Sequence, residues 1–144
     1  DRFETLYKAI EAAVAGLPAA ALDWKPGPEM NSIAVILAHT AGAWRYWVGD
    51  VAGGQPSGRV RADEFETRDV DAAEMLGRLR AALDTGREVL AALDPATLGE
   101  TRTAGMFDEQ RTVGWALLHA LEHTALHAGH IQLTRQLWDE GIRN

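Results

Sequence analysis

Apolar residues recur at helical spacing in four stretches of the chain. In the first, Phe3, Leu6, Tyr7, Ile10, Ala13, Val14 and Leu17 fall every three or four residues, which puts one apolar stripe on a helix. Gly16 and Pro18 close it. The segment Trp24-Lys25-Pro26-Gly27-Pro28 is not helix interior, because its prolines remove donors and bias their predecessors toward extended geometry. Asn31 or Ser32 then offers an N-cap for a second helix from about Ser32 to Val51. Its buried side carries Ile33, Ile36, Leu37, Thr40, Trp44, Trp47, Val48 and Val51.

Gly53-Gly54-Gln55-Pro56-Ser57-Gly58 ends that helix, and the stretch onward to about Asp69 reads as a long polar connection. Asp69 or Asp71 caps a third helix, whose stripe is Leu76, Leu79, Leu83, Gly86, Leu90 and Leu93. Pro95 and Gly99 mark the next break. A fourth helix begins near Thr112 and runs to about Glu140, with Gly141 as its C-terminal signal. The alternating segment near Thr101–Phe107 is too short to read as a strand. The pattern predicts an all-α four-helix bundle, a single domain over residues 1–144.

Composition narrows the function. The chain has 21 acidic against 14 basic residues, a net charge of −7, and no basic cluster, so nucleic acid is not an expected partner. Its apolar runs are far shorter than a membrane span, and no signal-peptide pattern is present; a cytoplasmic location is the expectation. The absence of cysteine excludes disulfides, thiolate metal sites and a protein-borne thiol nucleophile. Five tryptophans supply large aromatic surfaces, of which Trp44, Trp47 and Trp115 are candidates for a substrate pocket wall or for core packing. Arg59, Arg61 and Arg68 in the long connection read either as a solvated loop or as contacts for an anionic substrate.

The chemistry lies in the histidines. His119, His123, His127 and His130 share one face of the fourth helix at about 100° per residue, next to Leu117, Leu121, Ala128 and Ile131. Two histidines four residues apart stand one turn apart and can reach one metal ion. A straight helix cannot bring three to the same ion, so a further ligand must come from elsewhere, and His39 on the second helix is available. Burying unpartnered imidazoles costs about 1–3 kcal/mol apiece, a cost that a shared cation removes. His119-Ala-Leu-Glu122-His123 also matches the inverted metalloprotease pattern H-x-x-E-H. That family draws a further ligand from a Glu well downstream, where this sequence offers Glu140. Glu122 then reads as a second acceptor near the site or as an ordinary helix carboxylate.

In their order and spacing, three pieces of the chain resemble the DinB-like (DinB/YfiT) four-helix bundle proteins. They are Trp24-Lys25-Pro26-Gly27-Pro28, Ser32-Ile33-Ala34-Val35-Ile36-Leu37-Ala38-His39, and Leu118-His119-Ala120-Leu121-Glu122-His123-Thr124-Ala125-Leu126-His127-Ala128-Gly129-His130-Ile131. The resemblance implies an up-down-down-up bundle with its long connection between helices two and three. It implies a divalent metal, zinc or nickel, on His39, His123 and His127. His130 stands where the family commonly has Gln, which makes it a candidate acid/base; His119 matches no ligand position. Homodimers are common in that family.

Several relatives of this kind use a small thiol such as mycothiol or bacillithiol, so the resemblance implies a metal-dependent thiol S-transferase acting on a small-molecule electrophile. The alternatives are a metal-dependent hydrolase, with Glu122 or His130 as base on water, and a non-catalytic metal-stabilised bundle. Ligand imidazoles must be neutral, so metal binding is expected to weaken below about pH 6.

Overall fold

The computed structural model describes residues 2–142. They are mostly helical, with four long helical stretches. The first, α1, is Arg2–Val14, and Gly16 leaves it in the left-handed region at φ 72°. A short α2, Ala19–Asp23, follows within the turn region. Ser32 caps α3, Ile33–Trp44, accepting from the Val35 amide, and the same rod continues as a π-helical segment, Arg45–Ala52. The long connection holds a further short helix, α4, Arg61–Phe65.

Asp71 is the residue that caps α5, Ala72–Ala92, accepting from the Glu74 amide; Asp69 instead takes a left-handed turn at φ 56°. The buried face of α5 is Met75, Leu79, Ala82, Leu83, Gly86 and Val89, whereas Leu90 is 40% exposed. The leucine spacing thus misplaced the end of the stripe by one residue. Thr112 caps α6, Val113–Asp139, accepting from the Trp115 amide.

The all-α expectation needs one correction. Thr101–Ala104 and Glu109–Thr112 form an antiparallel hairpin, β1 and β2, with Ala104 opposite Glu109. Only Ala104 of the two strands is buried, so the hairpin has almost no apolar alternation to announce it. Tyr46 anchors its tip by accepting a hydrogen bond from the Met106 amide at 3.1 Å.

Packing runs round the long helices: α3 lies against α5 and α6, and α1 lies against the same two. Contact on so many sides explains why α3 is buried nearly all round, including Ala34, Val35, Ala38, Ala41 and Ala43, which no single stripe contains. Among the described residues, no helix is long and apolar enough to cross a membrane.

Trp44 occupies the centre of the core, 2% exposed, edge-on to Phe3 at 3.6 Å. Its indole lies over Gly86 of α5, where an added Cβ would come within 2.5 Å of Nε1. Gly86→Ala therefore forces this ring out of place. The expected loss is about 1–3 kcal/mol of stability, read as a lower denaturant midpoint, although alanine is the better helix former.

Candidate metal centre

Local sequence aims the histidines. His39 sits at the end of the second turn of α3, whose start is fixed by the Ser32 cap. The buried side of α6 is mostly small, with Ala116, Ala120, Thr124 and Ala128, and the helix packs against α3, bringing its neighbouring histidines close to that rod. His39 Nε2 lies 3.1 Å from His123 Nε2, and His127 Nε2 lies 3.2 Å from the same atom. One nitrogen from each of the three falls within 4.8 Å of the others.

Those separations suit a common ion. Two ligands at about 2.0–2.1 Å from one ion stand about 3.1–3.2 Å apart when the angle between them is about 100°. The donors also have the right protonation. Burial, reinforced by His127, His39 and His119 nearby, pushes His123 down to about 3. Burial together with His39 and His130 pushes His127 down to about 4. Both imidazoles are therefore neutral at pH 7, with lone pairs available, and an all-imidazole set suits zinc, nickel, copper or iron. Proton competition at these two ligands begins well below the pH 6 expected from an ordinary histidine.

The outer nitrogens are also engaged. His39 Nδ1 is 2.8 Å from Glu64 Oε2, and His127 Nδ1 is 3.3 Å from His130 Nδ1. Glu64, on α4, is buried and gripped by Arg59, whose Nε and Nη2 donate to its two oxygens at 2.6 and 2.8 Å. Burial alone would raise the Glu64 carboxyl, but the hydrogen bonds from Arg59 and His39 outweigh it and hold it below the usual carboxylate range.

Sequence reasoning missed Glu64. Its neighbours Val60 and Phe65 are 57% and 36% exposed, so the segment has no apolar pattern to set Glu64 apart from Asp63 or Glu66. Arg59, read as a loop residue, has a side chain only 4% exposed, whereas Arg61 lies over the Phe65 ring at 4.8 Å.

The remaining candidates fall into three groups. His130 is exposed at the rim and faces the outer side of His127. His119 stacks on Trp115 at 4.7 Å and meets Trp47 edge-on at 4.9 Å, with its ring 5.8 Å from that of His123. Trp47 in turn stacks on Phe107 of the hairpin tip at 5.6 Å. Trp47 and Trp115 thus belong to an aromatic wall beside the histidines, while Trp44 packs in the core. Glu122 is exposed, and the carboxylate that touches a cluster histidine is Glu64.

These features define a mostly helical protein in which three histidines from two helices could hold a metal ion. Residues 2–131 match the family model of the DinB superfamily, and the chain belongs to that superfamily. No curated protein gives a significant match. Among solved structures, the chain is similar to a crystal structure described as a conserved protein of locus from Enterococcus faecalis. The TM-score is 0.72 at 15% identity, over 94% of this chain and 92% of that one. At that identity the likeness concerns the fold alone.

Stability should report the neutral histidines. An unfolded chain protonates His123 and His127 near the ordinary value of about 6.5, whereas the folded chain resists until about 3 and about 4. The unfolded state binds more protons in this window, so the metal-free protein loses stability as pH falls from about 6.5 to about 4. Melting curves across that range should show a falling Tm, and a His123→Gln, His127→Gln double variant should show a flatter decline.

Proposed function

We propose that this protein binds a divalent metal ion, zinc or nickel, on His39, His123 and His127. In this reading it uses the ion as a thiol S-transferase toward a small-molecule electrophile. The observation that carries the reading is the convergence of three Nε2 atoms from α3 and α6. Three protein ligands leave coordination positions open, the arrangement of a reactive rather than a purely structural site. The neighbour relations of α1, α3, α5 and α6 support a four-helix bundle, with residues 53–71 as the crossover of an up-down-down-up chain path within one domain.

A bound divalent cation lowers the pKa of a thiol that joins it and so supplies a nucleophile at neutral pH. The chain's own part is to bind and orient. The chain has no cysteine, so the sulfur comes from a low-molecular-weight thiol. Trp115 and Phe107, 39% and 42% exposed and backed by the buried Trp47, present apolar surface beside the histidines against which an electrophile can lie. His130, at the exposed rim, carries the released proton to solvent. A hydrolase reading would rest on His130 as base on water, since Glu122 is exposed on α6 and the carboxylate that touches a cluster histidine is Glu64. Leu118, Leu126 and Leu133, 63%, 57% and 51% exposed on α6, offer the apolar face for a homodimer.

Elemental analysis tests the site. His39→Ala and His127→Ala should each lose most of the bound metal, whereas His119→Ala should keep it; equal loss in all three would refute the ligand assignment. Turnover should then require both metal and an added thiol. Product formed from water alone would favour the hydrolase, and no turnover with any thiol would favour a metal-stabilised bundle.

A further inference from the structure

Glu64 closes no ring around an ion, yet its carboxylate receives hydrogen bonds from Arg59 Nε, Arg59 Nη2 and His39 Nδ1. It also lies against α3 where that helix carries glycine: a Cβ built on Gly42 would overlap Glu64 Oε1. We infer that Arg59, Glu64 and Gly42 form a clamp that positions His39 with Nε2 toward the metal. The inference rests on the metal-binding reading above.

The reasoning concerns tautomer and rotation. A neutral imidazole carries its proton on either nitrogen, and the ring can turn. An ion can be held at Nε2 only if the proton sits on Nδ1. An ionised carboxylate is acceptor-only, so Glu64 at 2.8 Å, a much closer partner of Nδ1 than the Arg59 Nη2 donor at 3.4 Å, selects the Nδ1–H form and fixes the ring plane. Arg59 engages both oxygens, which keeps the group ionised and in one orientation.

The second requirement is space. Behind Glu64 lies a cleft of about 570 Å³, lined among others by Ala38, Ala41, Arg45 and Ala81, into which a freed carboxylate could swing. Arg59 holds it from that side, and the missing side chain at Gly42 lets it sit against α3. Glu64 and Arg59 are therefore positioning residues, and the connection between α3 and α5 is a working part of the centre. Coupling is reciprocal: if the clamp tightens the hold on the ion, the ion must tighten the docking of residues 59–65.

The test is zinc affinity of the full chain, by competition with a chromophoric chelator, together with the visible absorption of the cobalt-loaded site. Glu64→Ala should weaken zinc binding by about 10–100-fold and alter the cobalt spectrum. Glu64→Gln, which keeps the shape and removes the charge, should weaken it by about tenfold. Gly42→Ala changes no charged group and improves helix propensity, yet it should also weaken zinc binding and alter the cobalt spectrum. Glu122→Gln is the control and should leave affinity unchanged.

Hydrogen exchange of residues 59–65 in the parent should slow on zinc loading, which keeps the inference testable even where a variant fails to fold. Glu64 and Gly42 variants that bind zinc like a zinc-binding parent would overturn the clamp alone, as would unchanged exchange in residues 59–65. A parent that binds neither zinc nor nickel would overturn the clamp and the metal reading together.

Discussion

The close approach of α3 and α6 is the constraint on which the rest depends. Helix axes settle at a distance set by the side chains between them, typically about 8–10 Å. The buried face of α6 carries small residues, Ala116, Ala120, Thr124 and Ala128, and α6 packs against α3. With so little side chain on the buried face of α6, imidazoles from the two helices span the gap between them, His39 Nε2 to His123 Nε2 at 3.1 Å. Larger side chains there would separate the rods, and the histidines of the two helices would no longer face a common point.

Charge around the centre is balanced before any ion arrives. His123 and His127 are neutral, and the formal charges beside them, Arg59 and Glu64, cancel as a bidentate pair. A divalent cation entering such a place brings nearly its whole charge into a partly buried region. That situation favours an anionic companion in an open position over a neutral one, and it is the physical basis of the proposed thiol chemistry.

Much of this was legible in the sequence, and the parts that were not share a cause. Ser32, Asp71 and Thr112 act as caps, and the apolar spacing finds the four long helical stretches because each buries a continuous surface. The histidine row on α6 is visible for the same periodic reason. Glu64 and the hairpin lie in polar segments whose placement comes from tertiary hydrogen bonds, such as Arg59 to Glu64 and Met106 to Tyr46, which leave no period behind. The swap of Val89 for Leu90 shows the limit of spacing alone, since both side chains are apolar and the helix phase decides which is buried.

The change of winding after Trp44 divides the rod that carries His39 into two parts. The α-helical part, up to Trp44, holds the ligand; the wider part, Arg45–Ala52, holds Tyr46 and Trp47 of the aromatic wall. Wide turns of this kind are rare and sit most often at functional sites. His39 and the wall are thus wound on different pitches, so the helix phase that aims the imidazole does not also dictate where Tyr46 and Trp47 fall.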